Sequence, residues 1–418
     1  MMDEQNNIFF DPFAEEGVAE VDSLSSFIKI IECNAINQKF PIEHWSDVLT
    51  AENEHILKSN YIYRGQNKDH GKINANAFRK TESILCKPEY NIYPHFMPAT
   101  NEFYRQVSHR LNEDERKQWV AFSQHHGLKT NLLDVTGSPL VALFFACYEE
   151  VKSSTNGREK VAVVYLFDDY IDVTEILNKF SAVTIIELMI RGEKFTINKM
   201  FKLLKGYKSN WLYDGYQKYF MNLCMNIEKI AKNSDSYDDT CIKLALKSIH
   251  ESAKAISELP KNVSIIEKLE KAQKLFEAIQ GYPNRTIIEV DEFDFHHADV
   301  REKMIYFYLV FLVFYLKHHQ FNYEVTNLDF MPLMIFKPNV SFERSRLQNG
   351  FFIAQQFKKY AKDDEQQIRL IQEINYTKKI KIKNPDLILT QLNALGINEG
   401  AIYGDFDNVA KYIRQSFE

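Results

Sequence analysis

Several short stretches of the chain carry side chains able to grip or transform a charged ligand. Arg64 follows the β-prone run Tyr61-Ile62-Tyr63 and precedes Gly65 and Gln66. A guanidinium leaving a strand beside a glycine can act as a fixed, bidentate clamp on a phosphate or carboxylate, or pair with a buried acid such as Asp134. Asp134 and Thr136 stand just before Ser138-Pro139, where a helix start offers backbone amides and a dipole that favour an anion. The same short polar side chains can instead cap and stitch the turn. His125 and His126 lie at a helix end near that segment, suited to a ribose contact, to proton transfer or to capping the last carbonyls. Gln348 and Gly350, flanked by Arg344 and Arg346, read as a late strand able to lie across the sheet from Arg64, or as an edge strand with solvated basic residues. The His-His pairs lack the acid or cysteine company at helical spacing that a metal site shows, so no metal is expected.

The elements that must position these groups follow from local pattern. Residues 1 to 20 read as a loose acidic leader, and the first ordered element is expected near Ser23, with Phe27, Ile30 and Ile31 at helical spacing. Phe103, Val107, Leu111, Trp119 and Phe122 share a helical period ending at Gly127. The segment from Lys129 to Gly137 then reads as a loop, and Ser138-Pro139 opens a helix with serine as N-cap and proline at the first helical position. Val161 to Phe167 is a continuous apolar run, the pattern of a central strand covered on both faces. From about 170 to 285 Lys, Glu and Ser are dense, while Ile265, Leu269, Ala272, Phe276 and Ile279 recur every three to four residues, which predicts a helical insertion. Strand character returns at Arg285 to Val290, Leu333 to Phe336 and Phe351 to Ile353. Leu389, Leu392 and Leu395 precede Gly396, and a last helix starts near Asp407. The divisions are therefore 1–20, 21–169, 170–285 and 286–418, with one domain split by the insertion.

Bulk properties bound the function. Lys and Arg number 51 against 57 Asp and Glu, a net charge of −6, so a polyanion would have to be held by a local patch. Five scattered cysteines without a Cys-x-x-Cys pair suit a reducing compartment. The acidic start lacks a targeting pattern. The apolar run Met304 to Leu316 is shorter than the roughly 18 to 20 residues that span a bilayer, and reads as a buried helix or a pair of core strands. A cytoplasmic protein without a membrane partner is expected.

The stretch Gln124-His125-His126-Gly127-Leu128-Lys129-Thr130-Asn131-Leu132-Leu133-Asp134-Val135-Thr136, followed by Ser138 to Ala146, resembles the central block of the FRG domain. Tyr63-Arg64-Gly65-Gln66 is similar to its aromatic-Arg-Gly signature. Lys337-Pro338, Arg344, Arg346, Gln348, Gly350 and Phe352 resemble its Pro, Arg and Gln-x-Gly-x-Phe block, and Leu395-Gly396-Ile397 with Asp405 its closing segment. Asn131 stands where the family usually has Arg, Val135 where it has an aromatic, and Ile73 to Arg79 keeps a distal Arg without the expected proline. The resemblance implies an α+β fold, with an ADP-ribosyltransferase-like mixed sheet flanked by helices. It further implies NAD as substrate and a macromolecular acceptor, nucleic acid or protein, for a toxin or antiviral-defence effector that an antitoxin or regulator could restrain. On that analogy Tyr63, Arg64, Gly65, Gln66, Thr130, Thr136 and Arg346 hold NAD, and Arg64, His125, Asp134, Thr136 and Gln348 are the catalytic candidates, with Glu343 an outside one. The alternative is a non-catalytic nucleotide-sensing module that signals to a partner through the insertion.

Overall fold

The computed structural model describes residues 17–36, 61–79, 96–148, 161–206, 219–232, 239–260, 263–283, 288–291, 293–319, 326–339, 343–362 and 365–417. The strands are β1 (Val18–Val21), β2 (Ile62–Gln66), β3 (Leu132–Thr136), β4 (Ala162–Phe167), β5 (Tyr170–Asp172), β6 (Thr326–Leu328), β7 (Leu333–Phe336), β8 (Gly350–Ala354), β9 (Phe357–Lys362), β10 (Glu365–Gln372) and β11 (Lys378–Ile382). Eight form one mixed sheet in the order β1-β11-β4-β2-β3-β8-β7-β5, and β6-β10-β9 form a second. The fold is α+β, as expected.

β4 lies between β11 and β2 and is buried along its whole length. Its side chains alternate between two cores: Ala162, Val164 and Leu166 face one, Val163, Tyr165 and Phe167 the other. This is the period-two partition of a strand covered on both faces. The first core is closed by the helices Leu24–Ile36, Pro139–Cys147 and Pro385–Ala394. The second is closed by Ile73, Ala75, Ala77, Phe78 and Phe96, with Phe357 packed edge-on against Phe96. A third core holds the helices Thr174–Phe180, Ile185–Ile190, Lys194–Gly206, Met221–Lys232, Thr240–Ser257 and Ile265–Gln280 against the helix Val300–His318. Leu132, Met334, Phe336 and Ala354 extend this core under the sheet.

Several expectations need correction. The leader does not reach residue 20, because Val18–Val21 pairs in parallel with β11 and buries Ala19 and Val21; residues 1 to 16 lie outside the described residues. The segment expected as one helix up to Gly127 is broken into the helices Phe96–Val107, Glu113–Lys117 and Trp119–His125. Asn112 starts a new capping box there, its side chain taking the Glu115 amide, and such a box opens a helix afresh. Met304 to Leu316 is a helix; all of it except Tyr306 is buried. Its apolar surface runs all round because the helical layer encloses it. Within Arg285 to Val290, residues 288–290 are not in a strand and 285–287 lie outside the described residues. Among the described residues no helix is long and apolar enough to cross a membrane.

Candidate functional site

The site is built where the main sheet opens. β2 pairs with β4 over five residues but meets β3 at a single pair, Tyr63 with Thr136. Beyond that pair the two strands part. Continuing the antiparallel register would set Gly65 opposite Asp134; instead Arg64 Nη1 donates to the Asp134 backbone carbonyl at 2.6 Å. The guanidinium thus serves a carbonyl that the ladder would otherwise have satisfied. Gly65 lets the helix Pro139–Cys147 lie against β2: a Cβ there would stand 1.8 Å from the Ala142 carbonyl oxygen and 2.7 Å from the Ala146 amide. The glycine is required by backbone packing.

The segment carrying Asp134 is a strand. Leu132, Leu133, Val135 and Thr136 are buried in it while Asp134 is exposed. β3 pairs along its length with β8, Asp134 opposite Phe352 and Thr136 opposite Gly350, so the residues read as a loop have a full ladder on one side. The Asp134 carboxylate accepts from Gln124 Nε2 at 2.9 Å. Gln124 Oε1 in turn accepts from the buried Thr130 hydroxyl, whose oxygen takes the Leu132 amide at 3.1 Å. Three block residues therefore act together: Thr130 fixes the Gln124 amide, and Gln124 aims the carboxylate. Asp134 is not the buried partner of Arg64; their contact is through its backbone oxygen, and its carboxylate faces the opening.

The turn before Pro139 is not an open anion site. Ser138 caps as expected, its hydroxyl accepting from the Val141 amide, with Pro139 in the first turn. The Ser138 amide donates to Thr136 Oγ1 at 2.9 Å and the Gly137 amide to the Asn349 carbonyl. The Thr136 hydroxyl donates to the Gln348 carbonyl at 2.6 Å. Its only proton is thereby taken, leaving one acceptor lone pair. Gln348 itself lies in the turn before β8, not on the strand, and its side chain donates to the Ile402 carbonyl at 3.2 Å.

A cavity of about 520 Å³ occupies the opening. Arg64, His125, Asp134, Thr136 and Gln348 all line it, as do Tyr63, Gly65 and Gln66. Residues from four separated segments thus meet in one place. Thr130 does not line it and acts through Gln124. Arg346 does not line it either; it is exposed on the helix Glu343–Leu347. The side chains of Glu343 and Arg344 lie outside the described residues. Arg79, Asn76, His70 and Asn67 complete one wall. The distal arginine of the Ile73 to Arg79 segment was visible in the sequence, but nothing in its spacing tied it to Asp134.

Charge in the cavity is one-sided. Among the described residues that line it, Arg64 and Arg79 are the fixed cations and Asp134 the one acid. Burial lowers the Arg64 pKa to about 10; Asp134 opposes that shift and Arg79 adds to it. Burial also lowers the Arg79 pKa, again against Asp134. Both guanidiniums stay charged at neutral pH. Arg64 Nε and Gln66 Oε1 are closed off from solvent without a hydrogen-bond partner among the described residues.

The departures from the FRG pattern have local causes. Asn131 is fully buried and donates to the Val183 carbonyl at 2.9 Å and the Gln355 carbonyl at 3.1 Å, a junction with no room for a longer cation. Val135 packs in the second core. Sequence reasoning missed the buried glutamines beside it. Gln355 takes the Ala75 amide, Gln356 takes the Ile185 amide, and Gln372 donates to the Pro332 carbonyl.

No curated protein and no solved structure matches the chain. Residues 59–155 match the family model of the FRG domain, a span that holds β2, the Thr130-Gln124-Asp134 relay and the helix resting on Gly65. The chain therefore carries an FRG domain over residues 59–155.

Proposed function

We propose that the cavity between β2 and β3 binds NAD, and that the protein transfers the ADP-ribosyl group to a macromolecule as a toxin or antiviral-defence effector. The carrying observation is that one hydrogen-bonded carboxylate shares a cavity with two guanidiniums and the imidazoles of His70 and His125. The volume falls in the range of roughly 300 to 1,000 Å³ usual for cofactor-sized ligands. In this reading Arg64 and Arg79 hold the diphosphate, beside Tyr63, Gly65 and Gln66. Asp134 stabilises the positive charge that builds on the ribose as nicotinamide departs. The bond from C1′ to the nicotinamide nitrogen breaks with its electron pair going to that nitrogen. The acceptor's lone pair forms the new bond to C1′, and its proton passes to Asp134 or His125. The layout, a strand-borne arginine at a split in a mixed sheet, is similar to that of ADP-ribosyltransferases, a fold-level analogy.

Incubating the purified protein with labelled NAD and cell extract tests the reading. Label transfer and nicotinamide release are expected, both lost in Asp134→Asn, with relief of growth arrest on expression, and both reduced at limiting NAD in Arg79→Ala. A second reading, a nucleotide-sensing module, is favoured by the internal engagement of Thr136 and Gln348, whose hydroxyl proton and amide serve backbone carbonyls. The helices from Thr174 to Gln280 would then carry the signal to a partner protein. NAD binding without nicotinamide release selects that reading.

A further inference from the structure

The segments that line the cavity carry a pattern that the binding of NAD leaves unexplained. Three of the lining segments have exposed cations beside them in sequence, with no ion-pair partner among the described residues. Lys68 and Lys72 flank the lining residue His70; Lys129 follows the lining residue His125 by four positions; Arg346 stands beside the lining residue Ser345. Exposed His126 lies next to His125, its ring 4.5 Å from that of Phe122. The nearest acid on the first wall, Asp69, is neutralised internally by Lys379 at 3.0 Å and bound by the Tyr165 hydroxyl. Lys337, on the wall of Pro338, is paired with Asp172 at 3.2 Å and adds nothing. Exposed cations that are unpaired among the described residues therefore neighbour three of the lining segments, in a chain whose net charge is −6. Just inside, Phe145, Phe351 and Phe352 are half-buried in the lining.

We infer that the acceptor is a single-stranded nucleic acid. This rests on the proposed transferase reading and narrows it. Separated cations track a phosphate backbone, while aromatic faces stack bases without regard to sequence. An acceptor atom must enter the recess to reach C1′; an unpaired strand can splay a base inward, whereas a duplex keeps its bases stacked. The test uses the full chain and 12-nucleotide single-stranded RNA and DNA oligonucleotides, read by fluorescence anisotropy without NAD and by nuclease sensitivity of the label with it. Binding is expected to weaken with salt, log K falling with log salt at a slope of about −2. The triple variant Lys68→Glu, Lys72→Glu, Lys129→Glu is expected to lose at least about tenfold in affinity and to label nucleic acid less, with nicotinamide release to water and the thermal midpoint unchanged. Label that resists nuclease and yields to protease overturns the inference in favour of a protein acceptor. Oligonucleotide binding indifferent to the triple variant also overturns it. Absence of NAD turnover with every acceptor defeats the transferase reading instead, and the anisotropy arm then still decides whether the mouth holds a strand.

Discussion

Arg64 donates to the backbone carbonyl of Asp134 across the point where β2 and β3 part. The arginine of the motif is therefore a structural brace as well as a candidate clamp. Arg64→Ala leaves that carbonyl without its donor and is expected to cost about 1 to 3 kcal/mol of stability, visible as a lower urea midpoint. Loss of activity in Arg64→Ala alone consequently cannot identify a ligand contact. Arg79 separates the two roles: its side chain is largely exposed, and among the described residues its Nε donates to the nearby Asn74 carbonyl at 3.0 Å. Arg79→Ala is expected to raise the NAD dissociation constant about tenfold, roughly 1.4 kcal/mol, with an unchanged urea midpoint.

The relay from Thr130 through Gln124 to Asp134 makes a second prediction. Thr130→Val keeps the shape of the side chain but removes the hydroxyl that orients Gln124. An amide free to turn no longer presents Nε2 steadily to the carboxylate. Nicotinamide release is expected to fall about 10- to 100-fold in kcat with little change in KM, the mark of an interaction that matters in the transition state. Thr130→Ser restores the hydroxyl and is expected to recover most of the rate. Equal losses in Thr130→Val and Thr130→Ser would show that Thr130 serves packing alone.

Gly65 lets the backbone of the helix Pro139–Cys147 approach β2 closely. The 1.8 Å distance to the Ala142 carbonyl means that any side chain must push the helix Pro139–Cys147 off β2. Gly65→Ala is expected to lose about 3 kcal/mol or more by overpacking, read as a thermal midpoint lowered by several degrees.

What could be read from the sequence, and what could not, divides on physical lines. β4 was legible because a strand buried on both faces needs apolar residues at every position, and Ser138-Pro139 because capping chemistry is local. Asp134 was placed in a loop since its segment is short and its carboxylate breaks the apolar run; only β8, more than two hundred residues later, makes the segment a strand. Thr136 and Gln348 drew attention for polar side chains that in the fold stitch one turn to another. The Gln355, Gln356 and Gln372 network left no periodic signal, because buried amides answer to partners from distant segments.

The end of the core helix supplies a prediction about pH. Burial lowers the His318 pKa to about 4, with Lys317 and Lys358 adding to the shift, and burial likewise lowers that of His319 to about 4, aided by Lys358. His318 packs between Tyr282 and Phe314, and its Nε2 is buried without a partner among the described residues. Both rings are held neutral in the folded chain, whereas in the unfolded chain they protonate near pH 6.5. Between these values the unfolded state binds more protons, so stability rises with pH. The contribution is complete above about pH 6.5 and is lost as pH falls toward 4. Thermal midpoints measured from pH 7 down to 5, above the range where most carboxylates titrate, are expected to decline. In His318→Phe, which keeps an aromatic ring between Tyr282 and Phe314 but cannot protonate, the decline should be shallower; an identical slope in both proteins would remove His318 from the acid response.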